Sequence, residues 1–215
     1  MTRRITLKLA TSMDGRIATA SGESRWITGP AARAAVHQLR ADHQAVLVGV
    51  ETVIADDPSL TVRLDAFAGP QPHRIVLDSR LRTPLSAALV ATAKDIPTSL
   101  VTTHPAGERL TDAGVTVVQV AEREGRVDLC AAVEALAGCG VERVLVEGGG
   151  QVAAAFVRAG LVDAVEWFRA PIILGDEGRP AIGCLDLPTL ADAPRFRRVS
   201  AAEVGDDLWE RYERA

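Results

Sequence analysis

Aromatic residues are few in this sequence, and positive charge is not in excess. Aromatic side chains make up 4% of the 215 residues, and the formal net charge at neutral pH is -4. Proteins that bind nucleic acid usually present a basic face, and those that bind single strands stack the bases on aromatic side chains. We therefore expect no nucleic-acid binding.

Cysteines and long hydrophobic runs are also scarce. Cys130, Cys139 and Cys184 are odd in number and lack CxxC spacing, so neither a disulfide framework nor a zinc site is expected. The four histidines form no cluster of the kind that binds metals, and we expect no metal ion. Lys8 and Asp14 interrupt any signal-peptide core, and no later stretch is long and apolar enough to span a membrane. We expect a cytoplasmic protein that does not bind membranes.

Short apolar runs alternate with helical patterns along the chain. This alternation predicts one α/β domain over residues 1–215, with three α/β/α layers, a mostly parallel central sheet and an antiparallel C-terminal edge formed by DDLWERYE. The predicted strands are Ile5–Ala10, Ala45–Val50, Arg74–Asp78, Thr98–Thr103, Val115–Val120, the run RVLVE and Ala164–Ile173. The predicted helices are Pro30–His43, one capped by Asp128 and one that follows the glycines through Phe156 to Gly160.

The stretch VLVEGGGQVAAAF places three glycines between a predicted strand and a predicted helix. Gly148, Gly150 and Ala153 fit the dinucleotide-binding pattern G-x-G-x-x-G/A. Glycine lets the backbone approach a diphosphate, and a helix N-terminus offers unbonded N–H groups. Glycines at such turns are also common for steric reasons alone, so the motif by itself is weak. Glu147 before the glycines would repel a phosphate, which indicates either a structural role or a second ligand.

The segment LDSRLR follows another predicted strand. Ser79, Arg80 and Arg82 offer a hydroxyl and two guanidinium groups, which suit the 2′-phosphate of NADPH. A solvated turn is the alternative interpretation of this segment. Taken with the glycine turn, the segment favours NADPH as the cofactor.

Polar side chains are densest in Glu51–Arg63, just beyond the carboxyl end of a predicted parallel strand. Ligands of open α/β sheets bind at such ends. Arg40, Arg63 and Ser24 are candidates for a phosphate clamp, because guanidinium groups match phosphate geometry. Simpler alternatives are a solvated Arg40 on a helix surface and ordinary turn chemistry at Asp56 before Asp57-Pro58.

Several ordered stretches resemble the reductase domain of the bacterial riboflavin-biosynthesis deaminase/reductase. They are KLATSMDGRIA, SGESRWIT, LRADHQAVLVGVETVIADDPSLTVR, RIVLDS, VLVEGGG and AGLVD, and they extend from about Ile5 to about Gly183. The resemblance implies a dihydrofolate-reductase-like fold and NADPH-dependent reduction of 5-amino-6-(5-phosphoribosylamino)uracil to the ribitylamino product. The alternative is a reductase of the same fold that acts on the aminated pyrimidine or on a pterin such as dihydrofolate. The family commonly forms homodimers, for which the apolar segment Ala164–Ile173 is a candidate edge.

The resemblance also implies site residues. Lys8, Asp56 and Glu147 would polarise the reacting ribose and relay a proton, so that Glu147 faces the substrate rather than a phosphate. The positions that match the NADPH site are Ala10, Trp26, Thr52, Asp56, Ser79 and the segment Gly149, Gly150, Gln151, Val152 to Ala155. The positions that match the substrate site are Ser24, Arg40, Leu60, Arg63 and Glu147.

The sequence departs from the family pattern in three respects. It lacks the H-x-E…P-C-x-x-C signature of the zinc deaminase, so we expect no deamination by this chain, which is either a free-standing reductase or an excised piece of a longer protein. Glu51 stands where the family generally has a small residue, next to the expected pyrophosphate or nicotinamide site, and we expect it to weaken NADPH binding or to shift substrate choice. Gly150 stands where proline is common, and we expect this change to be structurally mild. A cofactor-binding module without catalysis is the rival class, against which the polar groups Lys8, Asp56 and Glu147 argue.

Overall fold

The computed structural model describes residues 3–105 and 107–215. The strands are β1 (Arg4–Thr11), β2 (Arg16–Ala18), β3 (Ala45–Gly49), β4 (His73–Leu77), β5 (Thr98–Thr102), β6 (Thr116–Gln119), β7 (Glu122–Arg123), β8 (Arg126–Val127), β9 (Arg143–Gly148), β10 (Ala164–Arg169), β11 (Arg179–Pro180), β12 (Phe196–Val204) and β13 (Asp207–Arg214). The helices are α1 (Pro30–Asp42), α2 (Val50–Asp56), α3 (Ala88–Ala91), α4 (Glu108–Asp112), α5 (Leu129–Gly138) and α6 (Gly150–Arg158), with a 3₁₀ turn at Leu190–Asp192. In these two ranges, no helix has the length and apolar character needed to cross a membrane.

The chain divides into two compact units, whose boundaries fall inside α1 and β9. The first unit contains His37–Leu145, and the second contains Arg4–Val36 and Val146–Ala215. The organisation of the whole chain as one domain stays a prediction.

The first unit is built on parallel strands. β3, β4, β5 and β6 lie side by side in that order, each parallel to the next, and the start of β9 lies beside β3. Every residue of β3 and of β5 is buried, as expected for parallel strands that are covered on both faces. Val48, Val76, Leu89 and Leu100 are among the residues of the core that packs against these strands.

The second unit contains the antiparallel part of the fold. Its strands follow the order β12, β13, β10, β1 and the end of β9; β10 runs parallel to β1 and antiparallel to β13. Phe168 of β10 stacks on Trp209 of β13 with ring centroids 5.1 Å apart. The predicted fold class is confirmed: the sheet is mostly parallel, has an antiparallel edge and carries helices on both sides.

Two details of the predicted edge are wrong. β13 is antiparallel as expected, but β12 pairs with it on the outer side and forms the edge instead. The segment Ala164–Ile173 was expected to offer a free edge for a partner subunit. Its strand ends at Arg169 and lies between β1 and β13, so its backbone is already paired on both sides.

Asp14 organises the turn that links β1 to β2. The Ser12 hydroxyl donates a hydrogen bond of 2.6 Å to Asp14, and the amides of Leu174 and Gly175 donate two more, of 3.1 and 2.8 Å. The Ser12 hydrogen bond, assisted by these amides, lowers the pKa of Asp14 from 3.8 to about 2. The charged form of Asp14 therefore ties the turn to the segment around Gly175.

We expect Asp14→Asn to destabilise the chain near neutral pH and to have little effect in strong acid. A carboxylate whose pKa is lower when folded stabilises the protein above its unfolded pKa of 3.8, and this contribution is lost as the pH falls towards about 2. Urea unfolding of both proteins over this pH range measures the difference. Ser12→Ala should show the same pH dependence, and a difference that stays constant with pH would contradict the assignment.

Candidate active site

Lys8 and Glu147 form an ion pair between the neighbouring strands β1 and β9. The Lys8 Nζ lies 3.8 Å from the Glu147 Oε2, and the two side chains are only 14% and 6% exposed. Leu7 and Leu9 point to the opposite face of β1 and are buried, so the two-residue period of the strand turns Lys8 towards Glu147. An ammonium and a carboxylate that are shielded together from water can hold a proton and release it to a reacting atom.

The glycine turn begins one residue after Glu147. Gly148 has a φ of 134°, which side-chain-bearing residues rarely adopt, and a Cβ added there would meet no atom within 4 Å. Gly149 is the N-cap residue of α6 and has no side chain that could accept hydrogen bonds from the first amides of the helix. Open space beside a glycine and N–H groups at a helix N-terminus together fit a diphosphate.

Gly150 is required by a close backbone approach. A Cβ at this position would lie 2.5 Å from the Pro180 carbonyl oxygen, and the amide of Gly183 donates to the Gly150 carbonyl at 2.9 Å. The expectation that glycine in place of proline is structurally mild stays a prediction, but the reverse change to proline would not be mild in this chain. Proline would introduce a Cβ where the segment that contains Pro180 now lies.

The segment 57–63 follows α2 and carries two of the predicted substrate residues. Asp57 has a left-handed φ of 42°, and its carboxylate accepts a hydrogen bond of 2.8 Å from the amide of Ala88 at the start of α3. The Leu60 side chain is 3% exposed and belongs to the core of the first unit, so it anchors the segment. Arg63 is exposed at the end of the segment, as a phosphate anchor requires.

Gln71 holds the same segment through its side-chain amide, a contact that the sequence did not indicate. Its Oε1 accepts from the Val62 amide at 2.7 Å, and its Nε2 donates to the Val62 carbonyl at 3.2 Å, as a neighbouring strand would. Arg40 donates to the Thr61 carbonyl at 2.9 Å, so this arginine also positions the backbone next to Arg63. A bond from a side chain to a distant backbone leaves no periodic signal in the sequence, although the Pro/Gly-rich stretch around Gln71 marks an irregular segment.

The predicted 2′-phosphate segment follows β4. Asp78 is fully buried and accepts two hydrogen bonds of 2.7 Å, from the amide and the hydroxyl of Thr83. The Ser79 Oγ accepts from the Val127 amide at 3.0 Å, which leaves its hydroxyl proton available to a ligand. Arg80 and Arg82 are exposed, and Arg82 forms an ion pair with Glu51. The donors of this segment fit a phosphate group.

The predicted residues are distributed over both units. Trp26 is 67% exposed and lies under the guanidinium groups of Arg33, 4.5 Å from the ring centroid, and Arg25, 5.9 Å away. In the residues that the structure describes, no group of three or more His, Cys, Asp and Glu side chains is placed to hold a metal ion.

The first unit carries Arg40, Thr52, Asp56, Leu60, Arg63 and Ser79. The second carries Lys8, Ala10, Ser24, Trp26, Glu147, Gly149, Gly150, Gln151 and Val152.

Comparison with known families accounts for this combination of fold and residues. The family described as the RibD C-terminal domain matches residues 3–209. The chain belongs to this family. The matched residues include Lys8, Glu147 and the glycine turn.

Individual relatives agree with the family assignment. The chain is 38% identical over 213 residues to a protein of Methanothermobacter thermautotrophicus named 2,5-diamino-6-ribosylamino-4(3H)-pyrimidinone 5′-phosphate reductase, and the match covers 97% of this chain and 96% of that one. It is 36% identical over 208 residues to a riboflavin biosynthesis protein RibD of Actinobacillus pleuropneumoniae, covering 95% of this chain and 55% of the relative. The structure of Acinetobacter baumannii RibD superposes with a TM-score of 0.87 at 32% identity, covering 100% of this chain and 58% of that one. The chain thus spans about half the length of the RibD proteins that it matches.

Proposed function

We propose that this chain is an NADPH-dependent reductase of riboflavin biosynthesis that converts 5-amino-6-(5-phosphoribosylamino)uracil to its ribitylamino product. Membership of the RibD C-terminal domain family supports a reductase of this pathway and a nicotinamide cofactor. The observation that carries the proposal is the shielded Lys8–Glu147 pair, which lies on the strands next to the glycine turn. Such a pair supplies a proton source beside a cofactor site, which a module that only binds the cofactor does not need.

The aminated pyrimidine is the second candidate substrate. It is favoured by the Methanothermobacter relative, which is named for a diamino substrate and matches this chain over nearly the full length of both. The two pyrimidines differ only on the base, whereas Arg63 would contact the phosphate that both carry. Dihydrofolate is disfavoured because it has no phosphate for such an anchor.

Different residues of the chain would bind the cofactor and transfer the proton. The bound nicotinamide would supply a hydride to C1′ of the ring-opened ribosylamine. The amides that begin α6 would hold the cofactor diphosphate, and Ser79, Arg80 and Arg82 would hold the 2′-phosphate. Lys8 would deliver the proton to the substrate nitrogen while Glu147 holds the ammonium in place, and Asp56 is a further candidate for the relay. Holding the reacting atoms together would provide much of the acceleration.

Three further statements about the protein remain predictions. Homodimer formation is expected from the family resemblance. The strand within Ala164–Ile173 cannot serve as the dimer edge, because it is already paired with β1 and β13. A cytoplasmic location and an absence of deamination by this chain stay expectations from the sequence. Size-exclusion chromatography with light scattering measures the oligomeric state directly.

The test of the proposed function is an assay of NADPH oxidation with purified protein. Parallel reactions contain 5-amino-6-(5-phosphoribosylamino)uracil, its aminated precursor or dihydrofolate, and the absorbance of the reduced cofactor is followed. Oxidation with the first compound supports the proposal, and oxidation with the second alone would move the substrate to the aminated pyrimidine. No oxidation with any compound, despite measurable NADPH binding, would favour a cofactor-binding module.

Arg63→Ala should weaken substrate binding far more than it slows turnover. Hydrogen bonds to charged groups contribute about 1.5–3 kcal/mol, which corresponds to an increase in KM of about tenfold to a hundredfold. If Arg63 holds the phosphate equally in the ground state and in the transition state, kcat should change little. The dephosphorylated substrate is the matched control, since its KM should be the same for both proteins. A collapse of kcat at unchanged KM would show that Arg63 is not a phosphate anchor.

A further inference from the structure

Glu51 and Arg82 form an ion pair at the end of β4. Glu51 lies in the first turn of α2, and its carboxylate accepts a hydrogen bond from the Nη2 of Arg82. Both side chains are exposed to solvent, 76% for Glu51 and 47% for Arg82. The hydrogen bond to Glu51, followed by the charges of Glu51 and Asp78, raises the pKa of Arg82, so this arginine lies in the field of two carboxylates.

The pair involves a residue that the proposed function assigns to the cofactor. Arg82 belongs to the segment that offers Ser79, Arg80 and Arg82 to the 2′-phosphate of NADPH. A guanidinium group binds a carboxylate and a phosphate through the same planar set of N–H donors. Arg82 cannot give the same donors to both, so the phosphate has to displace Glu51 or share the arginine with it.

The local charge balance adds to this competition. Arg80 and Arg82 supply two positive charges, and Glu51 together with the buried Asp78 supplies two negative charges. A phosphate that approaches the segment therefore meets no net formal charge and a carboxylate beside its best donor. NADH lacks the 2′-phosphate and would meet neither the competition nor the repulsion.

We propose that Glu51 is a specificity-determining residue that competes with the 2′-phosphate for Arg82. It thereby lowers the affinity of this chain for NADPH relative to its affinity for NADH. This inference rests on the proposed function, because it takes Arg82 to be a ligand of the cofactor. Of the two effects expected for Glu51 from the sequence, the first applies: the residue weakens the binding of NADPH alone and leaves substrate choice unchanged.

The test measures the dissociation constants of NADPH and NADH by the quenching of protein fluorescence, without turnover. Glu51→Gln keeps the shape of the side chain and removes its charge. Because exposed pairs of this kind are weak, we expect NADPH to bind about twofold to fivefold more tightly to this variant, while NADH binds equally to both proteins. The gain should shrink at high salt. Adenosine 2′,5′-bisphosphate and AMP should repeat the contrast between NADPH and NADH.

Two further variants control the interpretation. Asp186→Asn breaks the Arg158–Asp186 pair of the other unit, whose side chains are 47% and 72% exposed, and it should leave the ratio of the two dissociation constants unchanged. Arg82→Ala should weaken NADPH binding and remove most of the gain from Glu51→Gln. An unchanged ratio in Glu51→Gln, or an equal shift for both nucleotides, would overturn this inference alone. Failure of the unmodified chain to bind either nucleotide would overturn the proposed function and this inference with it.

Discussion

Lys8→Met should lower kcat by about 10²- to 10⁴-fold, because it removes the group proposed to deliver a proton in the transition state. NADPH binding should be nearly unchanged, since the contacts proposed for the cofactor lie at the glycine turn and in the segment after β4. Steady-state kinetics with 5-amino-6-(5-phosphoribosylamino)uracil, combined with a direct measurement of NADPH affinity, separate the two effects.

The loss of activity has to be distinguished from a loss of stability. Removing one partner of a shielded ion pair leaves an uncompensated charge and costs about 3–5 kcal/mol in buried cases. Arg169→Met is the control, because Arg169 pairs at 2.7 Å with Glu210, whose side chain is 5% exposed, compared with 6% for Glu147. Glu210 keeps Arg198 and the Tyr212 hydroxyl as partners, so the loss of stability should be smaller in the control. We expect this control to lose stability and to keep its kcat in the fraction that remains folded.

A double substitution tests whether the pair acts as one unit. Lys8→Met combined with Glu147→Gln removes both charges and should recover stability relative to Lys8→Met alone. Its kcat should stay close to that of the single variant, because groups that act together have non-additive effects. If folded Lys8→Met protein turns over as fast as the Arg169→Met control, Lys8 has no part in catalysis.

Arg74→Met should cost about 3 kcal/mol of unfolding free energy, one of the largest stability effects that we expect from a single substitution. Arg74 is 1% exposed, and its guanidinium donates at 2.6 to 3.1 Å to the hydroxyls of Thr98 and Thr92 and to the carbonyls of Leu89, Thr92 and Ile96. All of these partners are neutral oxygens, and burial lowers the pKa of this arginine. Methionine fills much of the volume but offers no donor to them.

Two opposing terms decide the size of this effect. Removing the guanidinium relieves the cost of keeping a charge out of water, which favours the variant. The variant also removes every hydrogen bond that the guanidinium donates, and hydrogen bonds to charged groups contribute about 1.5–3 kcal/mol each. The carbonyls of Thr92 and Ile96 keep other donors, whereas among the residues that the structure describes the Leu89 carbonyl keeps only the Thr98 hydroxyl at 3.5 Å. The loss of hydrogen bonds should exceed the relief of desolvation, because only one partner of each bond is removed. The net loss is large compared with a typical unfolding free energy of about 5–15 kcal/mol.

Urea unfolding measures the change at Arg74. Arg143→Met is the control, because Arg143 is an exposed strand residue of the same unit, where a substitution typically changes stability by about 0.5 kcal/mol or less. A similar, small change in both variants would show that the donors that remain around these carbonyls are sufficient and would contradict the prediction. Arg74→Lys should be intermediate, since one ammonium group cannot reach both sides of the cluster.

The sequence by itself determined the parallel strands and the junctions that carry the glycines and caps. β3 and β5 were predicted to within one residue, because parallel strands buried on both faces appear as continuous apolar runs. The cap of α5 is confirmed, since Asp128 accepts from the Ala131 amide at 3.1 Å. The glycine turn was also placed correctly between β9 and α6. These features are local, so a short window of residues contains the information that specifies them.

The strand β12 and the helix α2 were not predicted from the sequence, because neither element has a clear signal in its own short stretch of sequence. Most residues of β12 are exposed, so its polar sequence has no buried face to reveal it, and only pairing with β13 makes it a strand. α2 begins at Val50, directly after β3, with no capping side chain to mark the change.

Only the tertiary structure decided which distant residues meet. Lys8 and Glu147 were named from the family resemblance, but their contact follows from the placement of β1 beside β9. The contacts of Gln71 with Val62 and of Glu51 with Arg82 arise in the same way, between segments that are separate in the sequence. A sequence determines local backbone preference and the burial pattern. The order of strands, the close approach at Gly150 and the pairing of charges depend on how the whole chain packs, because these contacts exist only after distant segments have been brought together.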